Sequence, residues 1–490
     1  MITKLICLYL DFQKVSPEVK DIVNVEHYGD LLYKKQKLKT YHKSLYAQTS
    51  VNDFIYLKDA DQLLAIIDQL RHTTDSFVIL HHSSFAITQP KEFYLFIEKI
   101  SYLDISLSIS DFDEQKPFVI LNATNAIQAL EKIQKNPEST DSFLETKIDV
   151  DEKFKLERFY KTIRTSVEFI EFLHTNFEAR FFNSIQKDEL FITKSSENLN
   201  KIENEFLYYE YLPDELKVFF LQPIQLQKNK DWYSYKLEKL NIPDVSILWV
   251  HSSFSQKEFS ILLDKLFLFV AKRPKKELVE NEQTNSTNQL YITKVADRIE
   301  ELKSQPEYAV IAEIIKNSTS VGTIDKLFDL YKEKLNAILK NKEYKPSLAL
   351  SHGDLCASNM LYDKRINILK LIDPRGADTQ DGLYFDSYYD VCKLSHSIMG
   401  DYDLINNGLF ELTYTNNLQI QLTTDKLPNN ELFRKLFLKK LAENDFDYEL
   451  VRIFEVSLFI SMLPLHIDNP KKVLAFVLNA INILNQIESK

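Results

Sequence analysis

Apolar positions in the first third of the chain come in short branched runs separated by helix-spaced patterns. LICLYL (5–10), FIYL (54–57), FVIL (77–80) and PFVIL (117–121) have the length and β-branched content of buried strands. The stretches 59–71, 90–103 and 123–134 instead place apolar residues three and four apart, as amphipathic helices do. This alternation predicts an α/β domain with a largely parallel sheet. The polar stretch KNPESTDSFLETKIDVDE (135–152) marks its expected end, giving a domain over 1–150.

The pattern then changes. A helix is predicted over 152–174, followed by strands over 179–185, 189–194, 218–224 and 232–240, with one helix over 198–212 between them. Such an order suits an antiparallel, meander-like sheet. From Ser255, S-Q-K-E forms a capping box that opens an apolar helix to Val270. The charged segment 271–289 reads as an exposed loop, and helices dominate after it except around 348–376.

Composition narrows the function classes. A net charge of −11 supplies no dominant basic field for binding nucleic-acid backbone. Seven glycines in 490 residues leave no pair close enough for a GxGxxG or Walker loop. Cys7, Cys356 and Cys392 are far apart and form no CxxC pair, which argues against a disulfide framework or a zinc site. The apolar run before Asp11 is too short for a signal-peptide core, and 451–465 carries Arg452 and Glu455, so no membrane span is expected. The expectation is a cytoplasmic protein.

The stretch "LALSHGDLCASNMLYDKRINILKLIDPRG" (348–376) concentrates the chemistry. It contains H-x-D-x-x-x-x-N, with His352, Asp354 and Asn359, and then Asp373 at the end of the alternating run ILKLID. MLY, DKRIN and ILKLI between them read as a tight hairpin. Phosphoryl transfer needs a carboxylate to accept a hydroxyl proton and oxygen ligands to hold Mg²⁺ against nucleotide phosphates. An ordinary loop exposing acidic residues is the plain alternative.

H-G-D-L-C-A-S-N-M-L followed by L-I-D-P-R-G resembles the aminoglycoside phosphotransferase/choline kinase family of small-molecule kinases. The resemblance implies an α+β, two-lobed protein-kinase-like fold, with an antiparallel-sheet lobe over 151–240 and a helical lobe over 241–490. It implies ATP and Mg²⁺ as cofactors, Asp354 as catalytic base, and Asn359 and Asp373 as magnesium ligands. Asp390, in DSYYDVCKL, falls at a structural position of the family, although the family's Leu-Ala is Val-Cys here.

A kinase also requires a nucleotide-gripping lysine on a strand, paired with a helix glutamate. Lys194 closes L-F-I-T-K, and Glu205 falls inside the apolar stripe of the following helix, where an unpaired carboxylate is costly. The two are expected to pair. NSIQK (183–187) is expected at the turn that covers the phosphates. Tyr235, Leu237 and Glu238 are expected near the hinge, where backbone groups meet adenine.

For the acceptor, Asp378, Asp381 and Asp386 with Tyr384, Phe385 and Tyr388 are candidates to surround a cation, against the plainer reading of a solvated loop. Against a purely cationic site, Arg375 lies two residues from Asp373, and Lys294 and Arg298 are candidates to contact an anionic or hydroxylated substrate, with surface pairing to Glu300 or Glu301 the plainer reading; the sequence does not decide between amine and sugar. The IDPRG variant resembles members encoded for bacterial surface-polysaccharide (capsule) synthesis, in which a nucleotidyltransferase-like domain precedes the kinase. Residues 1–135 lack that domain's glycine-rich loop, and Asp111-Phe112-Asp113 reads as a polar turn rather than a metal-binding DxD. A degenerate domain used for docking or homodimerisation is expected. Two alternatives stay open: a non-catalytic nucleotide-binding scaffold, and a bifunctional nucleotidyltransferase/kinase.

Overall fold

A computed structural model describes the chain except for 1–3, 74–75, 103–105, 111–117, 136–151, 156–158, 174–182, 189, 279–285, 416–417 and 488–490. It separates into two units, Met1–Glu178 and Ala179–Lys490. The first is built on a six-stranded sheet in the order Asp53–Leu57, Lys4–Leu10, Ser76–His82, Phe118–Asn122, Leu107–Ser110, Glu152–Lys155. The first three strands run parallel, but Phe118–Asn122 is antiparallel to both its neighbours, so the sheet is mixed rather than largely parallel. The connection over 111–117 is too short for the crossover that parallel pairing of Leu107–Ser110 with Phe118–Asn122 would require.

The helices Leu63–Arg71, Pro90–Ile100 and Ala123–Lys135 lie where the periodicity puts them, and a further helix, Leu38–Tyr46, escapes it. The helix expected over 152–174 is a strand, Glu152–Lys155, a second strand, Tyr160–Thr162, and a short helix, Ser166–Leu173. Tyr160–Thr162 pairs with Phe85–Ile87, and the Glu168 carboxylate accepts the Arg164 and Thr165 N–H groups, which starts the helix late. These contacts and the stacking of Phe172 on Tyr33 tie the segment to the first unit, which therefore runs past 150. Asp111-Phe112-Asp113 lies outside the described residues.

The second unit opens with a four-stranded antiparallel sheet ordered Asn183–Lys187, Phe191–Ser196, Tyr233–Glu238, Pro223–Lys228. NSIQK is thus a strand and not a turn. The turn follows it, where Asp188 Oδ1 accepts the Leu190 and Phe191 N–H groups. The helix Leu199–Tyr211, capped by Asn198, packs on this sheet with Ile202, Glu205, Tyr208 and Tyr209 buried. Gln256–Lys272 carries the Ser255–Glu258 capping box in full. Lys275–Glu277, expected to be loop, is a strand on the edge of Ser347–Leu350, itself paired with Tyr384–Asp386. The helical body centres on Tyr448–Ser461, buried on all sides from Leu450 to Ser461. Its charged pair, Arg452 and Glu455, is joined at 2.6 Å, and no described helix is long and apolar enough to cross a membrane.

Asp244 caps the helix Val245–Val250 through Ile247 N–H at 2.9 Å and bridges to Leu361 of the hairpin expected to be catalytic. Burial, reinforced by the neighbouring Asp403, pushes its carboxyl up to about 7. A folded-state value above the unfolded one means the folded protein binds the extra proton, so this group's stabilisation holds at acid pH and is lost as pH rises through 7. Asp244→Asn keeps the cap without the charge. It is expected to raise the melting temperature by about 2 °C or more at pH 8 and to change it little at pH 5. Melts at the two pH values check this, and an equal shift at both would contradict it.

Candidate active site

The strand Ser347–Leu350 delivers a loop whose shape is held from behind by Asp390 on the helix Tyr389–Ile398. Both Asp390 oxygens are spent: His352 N–H donates to Oδ2 and Gly353 N–H to Oδ1, each at 2.9 Å. Arg273 Nη1 adds a donor to Oδ2 at 2.7 Å and is itself fixed by the Val270 and Ser387 carbonyls, with both side chains fully buried. A buried carboxylate is tolerable because it is paired and fully hydrogen-bonded. Asp390 is structural, as the resemblance implies.

His352 links two loops. Its Nδ1 accepts the Asp354 N–H at 3.2 Å, and its Nε2 donates to the carbonyl of Ile372, next to Asp373, at 3.0 Å. Burial pulls its pKa down, so the ring is neutral and this tautomer is the one the two contacts require. Its ring stacks on Phe220, 15° from parallel.

Asp354 stands at the head of the loop with one oxygen on Lys393 Nζ at 2.9 Å and the other on Asn359 Nδ2 at 3.1 Å. Burial works to raise its pKa, but the Lys393 ammonium and the Asn359 donor hold it below the usual carboxylate range. It stands as an anion. Asn359 also donates to the Asp354 carbonyl at 2.9 Å. With its amide hydrogens committed there, its carbonyl oxygen is the atom available to a cation.

Met360–Asp363 and Ile368–Leu371 form the expected antiparallel hairpin, and Ile372 N–H donates back to the Asn359 carbonyl at 3.0 Å. The chain then turns at Asp373 with φ +54°, which directs its half-exposed carboxylate to Lys194 Nζ at 2.9 Å. Lys194 also meets Glu205 Oε2 at 2.6 Å, and Tyr235 OH donates to that same oxygen at 3.1 Å. Burial favours the neutral amine of Lys194, but Asp373 and Glu205 outweigh it and raise its pKa, so the ammonium persists. The expected Lys194–Glu205 pair is present and extends to Asp373, joining the sheet, its helix and the hairpin.

Asp373 and Asn359 offer one carboxylate and one amide oxygen. Among the described residues no group of three His, Cys, Asp or Glu side chains is placed to hold a metal alone. That donor set fits Mg²⁺, which keeps few protein ligands and completes its octahedron with phosphates and water.

The other predicted residues divide. Tyr235 pairs with Lys194, and Leu237 lies between Ile192 and Pro223, so both are interior strand positions rather than hinge, while Glu238 closes the strand, exposed. The cation cage does not assemble. Asp381 pairs with the protein's own Lys276, whose ammonium sits 3.9 Å from the Tyr384 ring centroid. Asp378 is exposed, and Asp386 is buried, accepting from Tyr344 OH at 2.7 Å. Arg298 pairs with Glu301 along its own helix. Lys294 and Arg375 do come together, in the wall of one cavity. Lys393 goes unpredicted, although it follows Asp390 by three residues and so shares the helix face turned to the loop.

No protein-family model and no curated protein matches the chain. Among solved structures it is similar to an aminoglycoside phosphotransferase, APH(4)-Ia, crystallised with AMP-PNP and hygromycin B (9% identity, 65% of this chain and 99% of that one, TM-score 0.38). A glucosamine kinase with glucosamine, ADP and inorganic phosphate is similar at 11% identity over 62% of this chain and 76% of its own, with a TM-score of 0.37. An ethanolamine kinase from Plasmodium vivax is similar at 14% identity over 62% and 81%, with a TM-score of 0.32.

Proposed function

We propose that the second unit transfers the γ-phosphoryl group of ATP to a hydroxyl of a small molecule of sugar or amino-alcohol size. The observation that carries this reading is the double junction at Asp373 and Asp354. Lys194 bridges Glu205 and Asp373, while Asn359 sits against the ionised Asp354 one loop away. A nucleophile-side carboxylate and a phosphate-side cation are thereby held on a shared framework, through His352 and the hairpin.

In the reaction, the bond from the γ-phosphorus to the β–γ bridging oxygen breaks and a bond to the acceptor oxygen forms. The acceptor's proton passes to Asp354 and then to solvent, leaving ADP and a phosphorylated acceptor. Asp354 orients the hydroxyl and takes the proton. Lys194, kept cationic and fixed by Glu205, grips the phosphates. Asn359 and Asp373 would hold Mg²⁺, which, when bound, neutralises developing phosphate charge. The segment after Glu238 is the place for adenine. Positioning and charge neutralisation supply most of the acceleration. The IDPRG motif supports placing such a kinase in surface-glycan synthesis, with the first unit as a docking or dimerisation element.

The test is ADP release from ATP with a panel of small hydroxylated acceptors, with and without EDTA. Release that depends on acceptor and is abolished by EDTA is expected. Release indifferent to EDTA would remove Asn359 and Asp373 from the metal role.

A further inference from the structure

Beside the Asp354 loop lies a cavity of about 390 Å³ whose wall includes Lys294, Asp297, Arg375, Tyr384, Phe385 and Asp386. Its size suits one sugar-sized molecule. Two of its groups are cations without a carboxylate partner among the described residues. Lys294 Nζ donates to Tyr389 OH at 2.9 Å, and the Arg375 guanidinium lies over the Phe385 ring, 5.2 Å from its centroid. Arg375 is tied to the catalytic loop through its own N–H, which donates to the His352 carbonyl at 2.7 Å. The Arg375 backbone, two residues past Asp373, is therefore bonded to His352, two residues before Asp354.

The carboxylates in the wall do not cancel this charge. Asp386 is fully buried and turned to Tyr344 OH and Tyr388 N–H, with burial pushing its carboxyl up to about 6. Asp297 remains, exposed, one turn along the helix from Lys294. The Asp354 charge is already matched by Lys393 at 2.9 Å, which lessens its repulsion of an incoming anion. Of the three carboxylates that were candidates to attract a cationic acceptor, Asp386 is the one in this wall, while Asp381 is taken by Lys276 and Asp378 is exposed.

We propose that the acceptor is an anionic hydroxylated molecule, a sugar bearing a phosphate or a carboxylate, whose anionic group is held by Lys294 and Arg375 while a hydroxyl meets Asp354. This rests on the kinase reading above and names its substrate class. An oxyanion between an ammonium and a guanidinium makes charge-assisted bonds that neither a neutral sugar nor an amine reproduces. Asp297 is left to accept from a sugar hydroxyl.

The experiment uses the full chain with Mg²⁺ and ATP, and sets glucose 6-phosphate and other sugar phosphates against glucuronate and other sugar acids, with glucose, glucosamine and ethanolamine as neutral and cationic arms. Calorimetric titration of the same compounds onto protein holding Mg²⁺ and a non-hydrolysable ATP analogue supplies a readout independent of turnover. ADP release and binding are expected in one anionic arm, and which arm responds separates phosphate from carboxylate. Lys294→Gln and Arg375→Gln are each expected to raise the KM of that acceptor about tenfold or more, with a smaller effect on the KM of ATP. Turnover confined to the neutral or cationic arms overturns the proposal and leaves the kinase reading intact, as does anion binding indifferent to both substitutions. Absence of binding in both anionic arms also overturns it. Failure to bind the nucleotide at all would instead defeat the kinase reading beneath it.

Discussion

Asp354→Asn is expected to lower acceptor-dependent ADP release by about 10²–10⁴-fold at saturating substrates while leaving the binding of Mg²⁺ and ATP measurable. Asparagine keeps the shape and the contact with Asn359 but cannot take a proton. It also strands Lys393, whose ammonium is largely buried against Asp354 and has only that carboxylate as an ion-pair partner among the described residues. Some loss of stability is therefore expected as well, and the double variant Asp354→Asn/Lys393→Met should recover part of it without recovering turnover. The pH profile separates proton transfer from simple damage. Lys393 holds the Asp354 carboxyl below its ordinary range against the opposing effect of burial. The wild-type rate should accordingly persist into acid and fall only as pH drops through that depressed value. Lys393→Met should shift the acid limb of kcat/KM to higher pH, which marks Lys393 as a positioning residue. An Asp354→Asn protein that turns over at the wild-type rate would end the assignment of Asp354 as base.

The candidate site is legible in the sequence because its parts come from short spacings. Asp354 and Asn359 share one loop, and Asp373 ends an alternating strand whose hairpin partner begins right after Asn359. Glu205 is legible as a polar residue inside an apolar stripe, and Lys194 as the cation to neutralise it. What escapes is set by contacts between distant segments. Arg273 and Asp390 meet through a buried ion pair that no local period announces. Lys276 reads as loop because its segment, Lys275–Glu277, is exposed and charged, yet it pairs as an edge strand and its side chain takes Asp381, which removes one member of the candidate cation cage. Asn183–Lys187 carries too few apolar residues to show a strand period, so its register is visible only from its partner Phe191–Ser196. The mixed direction of the first unit's sheet is hidden for the same reason, since apolar runs report burial and not strand polarity.

Gly376→Ala is expected to disable the proposed kinase activity without touching any group assigned to the reaction. A Cβ at this position would lie 1.9 Å from the Asn204 carbonyl oxygen, 2.1 Å from its carbon and 2.5 Å from the Glu205 nitrogen. All three are backbone atoms of the helix Leu199–Tyr211, so no side chain can swing aside, and either the helix or the segment after Asp373 must move. Both motions pull on the same junction: displacing the helix withdraws Glu205 from Lys194, and displacing the segment withdraws Asp373. A misplacement of about 1 Å at such a junction costs on the order of 10²-fold in rate, and overpacking against backbone costs about 1–3 kcal/mol in stability. The loss should appear as a raised KM for ATP together with a lowered kcat, because Lys194 and Asp373 are the residues proposed to meet the nucleotide phosphates and their metal. Gly322→Ala is the control. Gly322 has φ +73° but nothing within 4 Å of an added Cβ, so its substitution brings backbone strain without a clash, whereas Gly376→Ala brings the clash without left-handed strain. If Gly376→Ala alters ATP kinetics no more than Gly322→Ala does, the close approach of helix and hairpin is not what aligns Lys194 with Asp373.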